Sequence, residues 1–160
     1  MTEQTQHSSY RAVTNAASTV KVMHLLTQKG DKVWTITAEA SVFESIRIMA
    51  EHSIGALPVL EAQRVIGIIS ERDYARKVIL QGKSSKTTLV GEIMTTNPVT
   101  VTPEATVSEC MELMTNLLIR HLPVLRDGTL VGIISIGDLV RDIIVRQQFA
   151  LDELERYVAG

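Results

Sequence analysis

The chain has 160 residues, 45% of them apolar, with 16 basic and 18 acidic side chains and a formal charge of −2. Those numbers fit one compact domain or two small halves sharing a core, and the near-balance of charge gives no footprint for bulk nucleic-acid binding. A single cysteine excludes an intrachain disulfide; with no apolar run near the roughly 18 residues of a membrane span, the expectation is a soluble, cytoplasmic protein that uses no membrane.

Residues 1–18 are rich in Thr, Gln, Ser and Asn and read as a mobile tail without the apolar segment of a signal peptide. Val20 to Leu26 is a short apolar element, followed by the turn signal Gln28-Lys29-Gly30-Asp31. Val33-Trp34-Thr35-Ile36 is a run of β-formers and predicts a strand. Val42, Ile46, Met49 and Ala50 at helical spacing predict an amphipathic helix over 41–52. Leu57–Leu60 and Val65–Ser70 are two apolar strands across the polar turn Glu61-Ala62-Gln63-Arg64. A helical pattern resumes at Asp73 and runs through Tyr74, Val78 and Ile79 to about Leu80.

The order then repeats. Ile54, Leu57-Pro58-Val59-Leu60, Gly67-Ile68-Ile69-Ser70 and Asp73 recur 65 residues later as Ile119, Leu122-Pro123-Val124-Leu125, Gly132-Ile133-Ile134-Ser135 and Asp138. Chance would give about two or three matches over such a window. Val90–Met94 opens the second copy, and Val99-Thr100-Val101 predicts its strand. Val107, Cys110, Met111 and Met114 make a helix face, and Arg126-Asp127-Gly128-Thr129 is a hairpin turn. The first copy carries three extra residues between its leading element and its strand. Pro58 and Pro123 must sit where no ladder donor is needed. A last helix from Asp138 to about Val158 carries an apolar stripe beyond the repeat, which a second subunit would cover. The divisions are a tail (1–19), two β-α-β-β-α repeats (20–82 and 83–146) and a helical extension (147–160), an α+β protein.

Gly-Ile-Ile-Ser-x-x-Asp is the sharpest motif. One reading is a capping box, in which Ser70 and Ser135 cap a helix and Asp73 and Asp138 reach back from its third position. The other uses the same geometry for a ligand: the carboxylate accepts both hydroxyls of a ribose cis-diol, Ser adds a polar contact, and backbone N–H groups favour a phosphate. Arg72, Arg120 and His121 are solvated charges or partners of an anion, and Gly55-Ala56 stands where the second copy has Arg120-His121, so the two sites are not equivalent. Trp34 aligns with Val99 and is either a core aromatic or the wall of an adenine pocket. Cys110 lies on an apolar helix face and reads as core. Gly82-Lys83-Ser84 lacks the first glycine of a P-loop, His7, His24, His52 and His121 show no metal spacing, and no Ser/His/Asp set stands out, so neither an enzyme nor a metal site is expected.

At these residues the chain resembles a tandem pair of CBS domains, a Bateman module, over roughly residues 20–146. Its marks are Leu57-Pro58-Val59 and Leu122-Pro123-Val124 and the two Gly-h-h-Ser-x-x-Asp segments at 67–73 and 132–138. Lys29-Gly30, the segment 70–77 and Ile119-Arg120-His121 make it most similar to the small stand-alone bacterial group. The resemblance implies two repeats packed through their sheets about a pseudo-twofold axis, with two clefts that take AMP or another adenine nucleotide, or NAD/NADH. It places Ser135 and Asp138 on one ribose, with Trp34, Ile54 and Ala56 near the base and Arg120 and His121 at phosphate. Ser70 and Asp73 take the other, with Val99 and Ile119 near the base and Arg72 at phosphate. Gly55-Ala56 departs from that plan by offering no side-chain cation. A homodimer and an effector protein acting in trans are implied. Three functions stand: an adenosine-ligand sensor first, a structural module with empty clefts that binds a partner second, and a nucleotide hydrolase last.

Overall fold

The computed structural model describes residues 19–30 and 32–159, so the expected tail over 1–18 lies outside the described residues. Its elements are α1 (Val22–Lys29), α2 (Val42–His52), β1 (Ala56–Glu61), β2 (Arg64–Ser70), α3 (Glu71–Tyr74) continued by a π turn over Ala75–Ile79, α4 (Val90–Ile93), β3 (Thr95–Thr96), α5 (Val107–Leu117), β4 (His121–Arg126), β5 (Thr129–Ser135) and α6 (Ile136–Ala159). Strands β1-β2-β3 form one sheet, and β4-β5 another.

The two copies fold by the same local rules. In α2, Ser41 Oγ accepts the Glu44 N–H, Val42, Ser45 and Met49 face inward, and Ser53 at φ 53° ends the helix. In α5, Thr106 caps the Glu109 N–H, Val107, Cys110 and Met114 face inward, and Leu118 at φ 55° ends it. Both hairpin turns put two residues at positive φ, as the twist of paired strands requires: Ala62 and Gln63 in the first, Asp127 and Gly128 in the second.

Two predicted strands are corrected. Over 33–36 only Ile36 pairs, in a parallel bridge to Val59, and over 99–101 only Val101 is a bridge residue. Over 33–36 the reason is the proline of the neighbouring strand. The Ile36 N–H donates to the Pro58 carbonyl, and the Leu60 N–H donates to the Ile36 carbonyl. The next bond of that parallel ladder needs a donor at residue 58, and proline has none. Pro58 thus stands on the outer edge of β1, where the β1–β2 ladder loses nothing, as expected. The sequence did not announce β3, which pairs Thr96 with Gly67 and Thr95 with Ile68. A Cβ on Gly67 would lie 2.6 Å from Met94 Sδ and 3.0 Å from the Thr95 carbonyl oxygen, which accounts for the glycine.

The described residues divide into two compact units that are not the two contiguous repeats: residues 19–30, 101–122 and 134–159 in one, 32–100 and 123–133 in the other. In the second unit, Ile36, Met49, Leu57, Val59, Ile69, Val78, Val90 and Ile93 share a buried core. There α4 is tied to the segment before α2: Val90 and Gly91 donate to the Ala40 and Ala38 carbonyls, and Val42 donates to Thr88. In the first unit, α1 is tied to the segment before α5 in the same way. Val22 and Met23 donate to the Ala105 and Pro103 carbonyls, and Val107 donates to Val20. The element that leads each repeat in sequence therefore docks on the helix of the other repeat.

Candidate functional site

Each repeat builds its Ser-x-x-Asp segment where a strand meets a helix. At the end of β2, Asp73 Oδ2 accepts the Ser70 N–H at 2.9 Å and the Ser70 hydroxyl at 3.1 Å, and Ser70 Oγ accepts the Asp73 N–H at 3.2 Å. At the end of β5, Asp138 Oδ2 accepts the Ser135 N–H at 2.8 Å, and Ser135 Oγ accepts the Asp138 N–H at 3.2 Å. Both segments are complete capping boxes, as the first of the two readings requires.

Other amides at these helix starts are also engaged. Glu71 donates to the Gly55 carbonyl at 3.1 Å, and Ile136 donates to the Arg120 carbonyl at 2.9 Å. The N–H groups expected to meet a phosphate are thus partly spent: the first closes on the loop before the strand, and the third on the serine. The same bond brings the predicted residues together within each unit. Gly55 is joined to Glu71, between Ser70 and Arg72, and Ala56 is paired to Ser70 across the sheet. Arg120 is joined in the same way to Ile136, the residue after Ser135. Val99 is exposed in the second unit, and Trp34 is not core. Trp34 is 37% exposed and stacks on His52 with ring centroids 3.5 Å apart and planes 13° from parallel, two residues before Ile54.

The cations that hold the two carboxylates were not among the predicted residues. Lys77 Nζ lies 3.0 Å from Asp73 Oδ1 and donates to the Ile93 carbonyl at 2.9 Å. Lys29 donates to Asp138 Oδ2 at 2.8 Å, and Arg141 donates to Asp138 Oδ1 at 2.7 Å. Burial acts to raise the pKa of Asp138, but the hydrogen bonds from Lys29 and Ser135 and the Lys29 charge outweigh it and hold the carboxyl below its ordinary value. Spacing could have signalled Lys77 and Arg141, which follow their aspartates by one helical turn; nothing local could have signalled Lys29, 109 residues from Asp138. Beside Asp138, α1 and α6 border a cleft of about 620 Å³ whose lining includes Leu25, Lys29, Arg141, Arg146 and Phe149.

Among the described residues no cluster of His, Cys, Asp and Glu could hold a metal. The Cys110 thiol is pushed up to about 11 by burial and by Glu109, which keeps it protonated. No helix among the described residues is long and apolar enough to cross a membrane.

The CBS domain family model matches residues 24–79 and 90–145. The chain is 44% identical over 136 residues to the CBS domain-containing protein CBSX3, mitochondrial, of Arabidopsis thaliana, an alignment that covers 82% of this chain and 66% of the plant protein. It is 33% identical to the CBS domain-containing protein YhcV of Bacillus subtilis, over 68% of this chain and 76% of that one. Among solved structures, a CBS-domain protein of Burkholderia ambifaria MC40-6 superposes with a TM-score of 0.76 at 47% identity, covering 79% of this chain and 95% of its own. A hexameric CBS-CP12 protein from bloom-forming cyanobacteria superposes at 0.69 with 32% identity, over 76% of this chain and 70% of its own.

Proposed function

The chain belongs to the CBS-domain family as a tandem pair, and from that premise we propose that it is a regulatory module, not a catalyst, that binds adenosine-containing nucleotides through Asp73 and Asp138. The observation that carries this reading is the duplicated carboxylate: each is fixed by a capping box at a helix start, with one loop carbonyl, Gly55 or Arg120, closing the same turn. A carboxylate already held in one geometry loses little freedom on accepting the two hydroxyls of a ribose. Ser70 with Asp73, and Ser135 with Asp138, are assigned to ribose. Ile54, Gly55, Ala56, Ile119, Trp34 and Val99 are assigned to the base, and Arg72, Arg120 and His121 to phosphate. AMP, ADP, ATP and NAD or NADH are the candidate ligands. The bound state would be read by a protein partner, with a second copy of the chain on the apolar face of α6.

The alternative is a structural module whose clefts stay empty, favoured by the fact that each box is a complete cap without any ligand. Thermal unfolding of the nucleotide-stripped protein against AMP, ADP, ATP, NAD and NADH separates the two. A ligand at a hundred times its Kd adds about 2.7 kcal/mol, a rise of roughly 5–10 °C for a chain of this size. Such a rise, lost in Asp73→Ala or Asp138→Ala, is the expected result. No rise with any of the five nucleotides would leave the empty module as the reading.

A further inference from the structure

Trp34 lies in the irregular segment before Ile36, where residues 33–35 join no ladder. The backbone there does little to fix an indole. The ring of His52 does more, at 3.5 Å between centroids and 13° from parallel. His52 is the last residue of α2 and is half-buried. It stands on a firmly held helix end: Ser45 and Met49 are buried, and the Ser53 and Ile54 N–H groups donate to the Ala50 and Met49 carbonyls at 3.4 and 3.0 Å. Lys32 Nζ lies 5.9 Å from the indole centroid, at the outer limit of a cation–π contact, and its side chain is exposed on a flexible stem. The histidine, not the lysine, therefore sets the plane of the indole.

On this geometry we propose that His52 is a positioning residue: it holds the Trp34 indole as a flat wall, so that the segment before Ile36 recognises the planar ring of a ligand by stacking. This rests on the base role of Trp34 proposed above. Trp34 stays 37% exposed with His52 against it, which leaves ring surface for a second stacking partner. A wall fixed before the ligand arrives has less freedom to lose on binding, and aromatic pairs contribute beyond the area they bury. At the 65-residue offset of the repeat, Trp34 and His52 give way to Val99 and Leu117. The second repeat has the positions without the rings, so recognition by stacking belongs to one repeat alone.

Trp34 is the only tryptophan, so fluorescence of the full chain, excited beyond the tyrosine band, reports on this ring. Without ligand, His52→Ala should add a fast component to the anisotropy decay of Trp34, and His52→Phe should leave the decay as in the parent. AMP should change the emission of the parent. Ribose 5-phosphate, followed by its displacement of AMP, should bind about five- to 150-fold more weakly, the worth of one base on an aromatic side chain. His52→Ala should weaken AMP about two- to tenfold and leave ribose 5-phosphate unchanged, and His52→Phe should restore AMP. Unchanged anisotropy or unchanged AMP affinity in His52→Ala, or an equal weakening of AMP and ribose 5-phosphate, overturns the positioning role while leaving the base reading standing. AMP binding by calorimetry with no change in Trp34 emission overturns the base role of Trp34, and the positioning role with it. No AMP binding by the parent overturns the nucleotide reading itself, and this one with it.

Discussion

At Asp138 one carboxylate closes a helix cap and neutralises two cations, with its side chain only 10% exposed. Removing it therefore unsettles more than a ligand contact. Asp138→Ala should cost about 1–2 kcal/mol at neutral pH, the upper range for a lost cap, read from the urea midpoint. The pH dependence has a definite sign. The folded carboxyl lies below its ordinary value, so its contribution is fully present above the unfolded value near pH 4 and is lost as pH falls through the folded pKa. The gap between wild type and Asp138→Ala should hold from pH 7 to about 5 and narrow below about 4. A gap that stayed constant down to pH 3 would show that the ion pairs with Lys29 and Arg141 contribute nothing. The cap was legible in the sequence because it is local: Ser, then Asp three residues on, ahead of an apolar helix. The lysine that shares it was not, because the fold and not the spacing brings Lys29 there.

The exchange of leading elements explains a detail that the repeat left open. Most of the second copy follows the first by 65 residues, but Val22 corresponds to Val90 and Leu25 to Ile93, an offset of 68. The extra three residues lie between α1 and Ile36, in the segment that carries the chain from one unit to the other. Leu25 and Ile93 are both buried, each against elements of the other repeat's fold. They should behave as equivalents although they lie far apart in the chain: Leu25→Ala and Ile93→Ala should each lower stability by about 2–5 kcal/mol, as buried Leu and Ile truncations do. Urea unfolding of the two variants checks it, and a negligible cost for Leu25→Ala would mean that α1 is an appendage. Periodicity revealed α2, α5, α6 and both hairpins, since each is written in apolar spacing and turn residues. It overstated the strands at 33–36 and 99–101, where β-propensity is present; at 33–36 Pro58 removes the donor that a longer ladder needs. It missed β3, whose two threonines carry no pattern and whose only sign is the glycine opposite them.

On the scale of the whole molecule the open account is α6. Its first turns are held: Leu139 is fully buried, and Asp142 pairs with Arg146 at 3.0 Å. Yet along the rest of its surface apolar residues recur at helical spacing, Val140, Ile144, Leu151, Leu154 and Val158, and all are exposed. A helix that carries a stripe past its own core lacks a covering surface. Covering the stripe with a second copy would contribute roughly 1.5–3 kcal/mol for each side chain fully buried, set against an association cost of about 4–15 kcal/mol. Five such side chains on each of two copies would together outweigh that cost, which is why a second copy is the occupant proposed for this stripe. Leu151 and Leu154 are the places to break it, being 54% and 59% exposed in the single chain and flanked by Asp152, Glu153 and Glu155. Leu151→Asp with Leu154→Asp should convert the chain to a monomer by light scattering, because the new carboxylates would be desolvated and facing like charge. The same substitutions should leave the unfolding midpoint of the dilute, monomeric protein within about 0.5 kcal/mol of wild type, as exposed positions do. A dimer that survives both changes would place the contact on another surface and leave the stripe of α6 for a different partner.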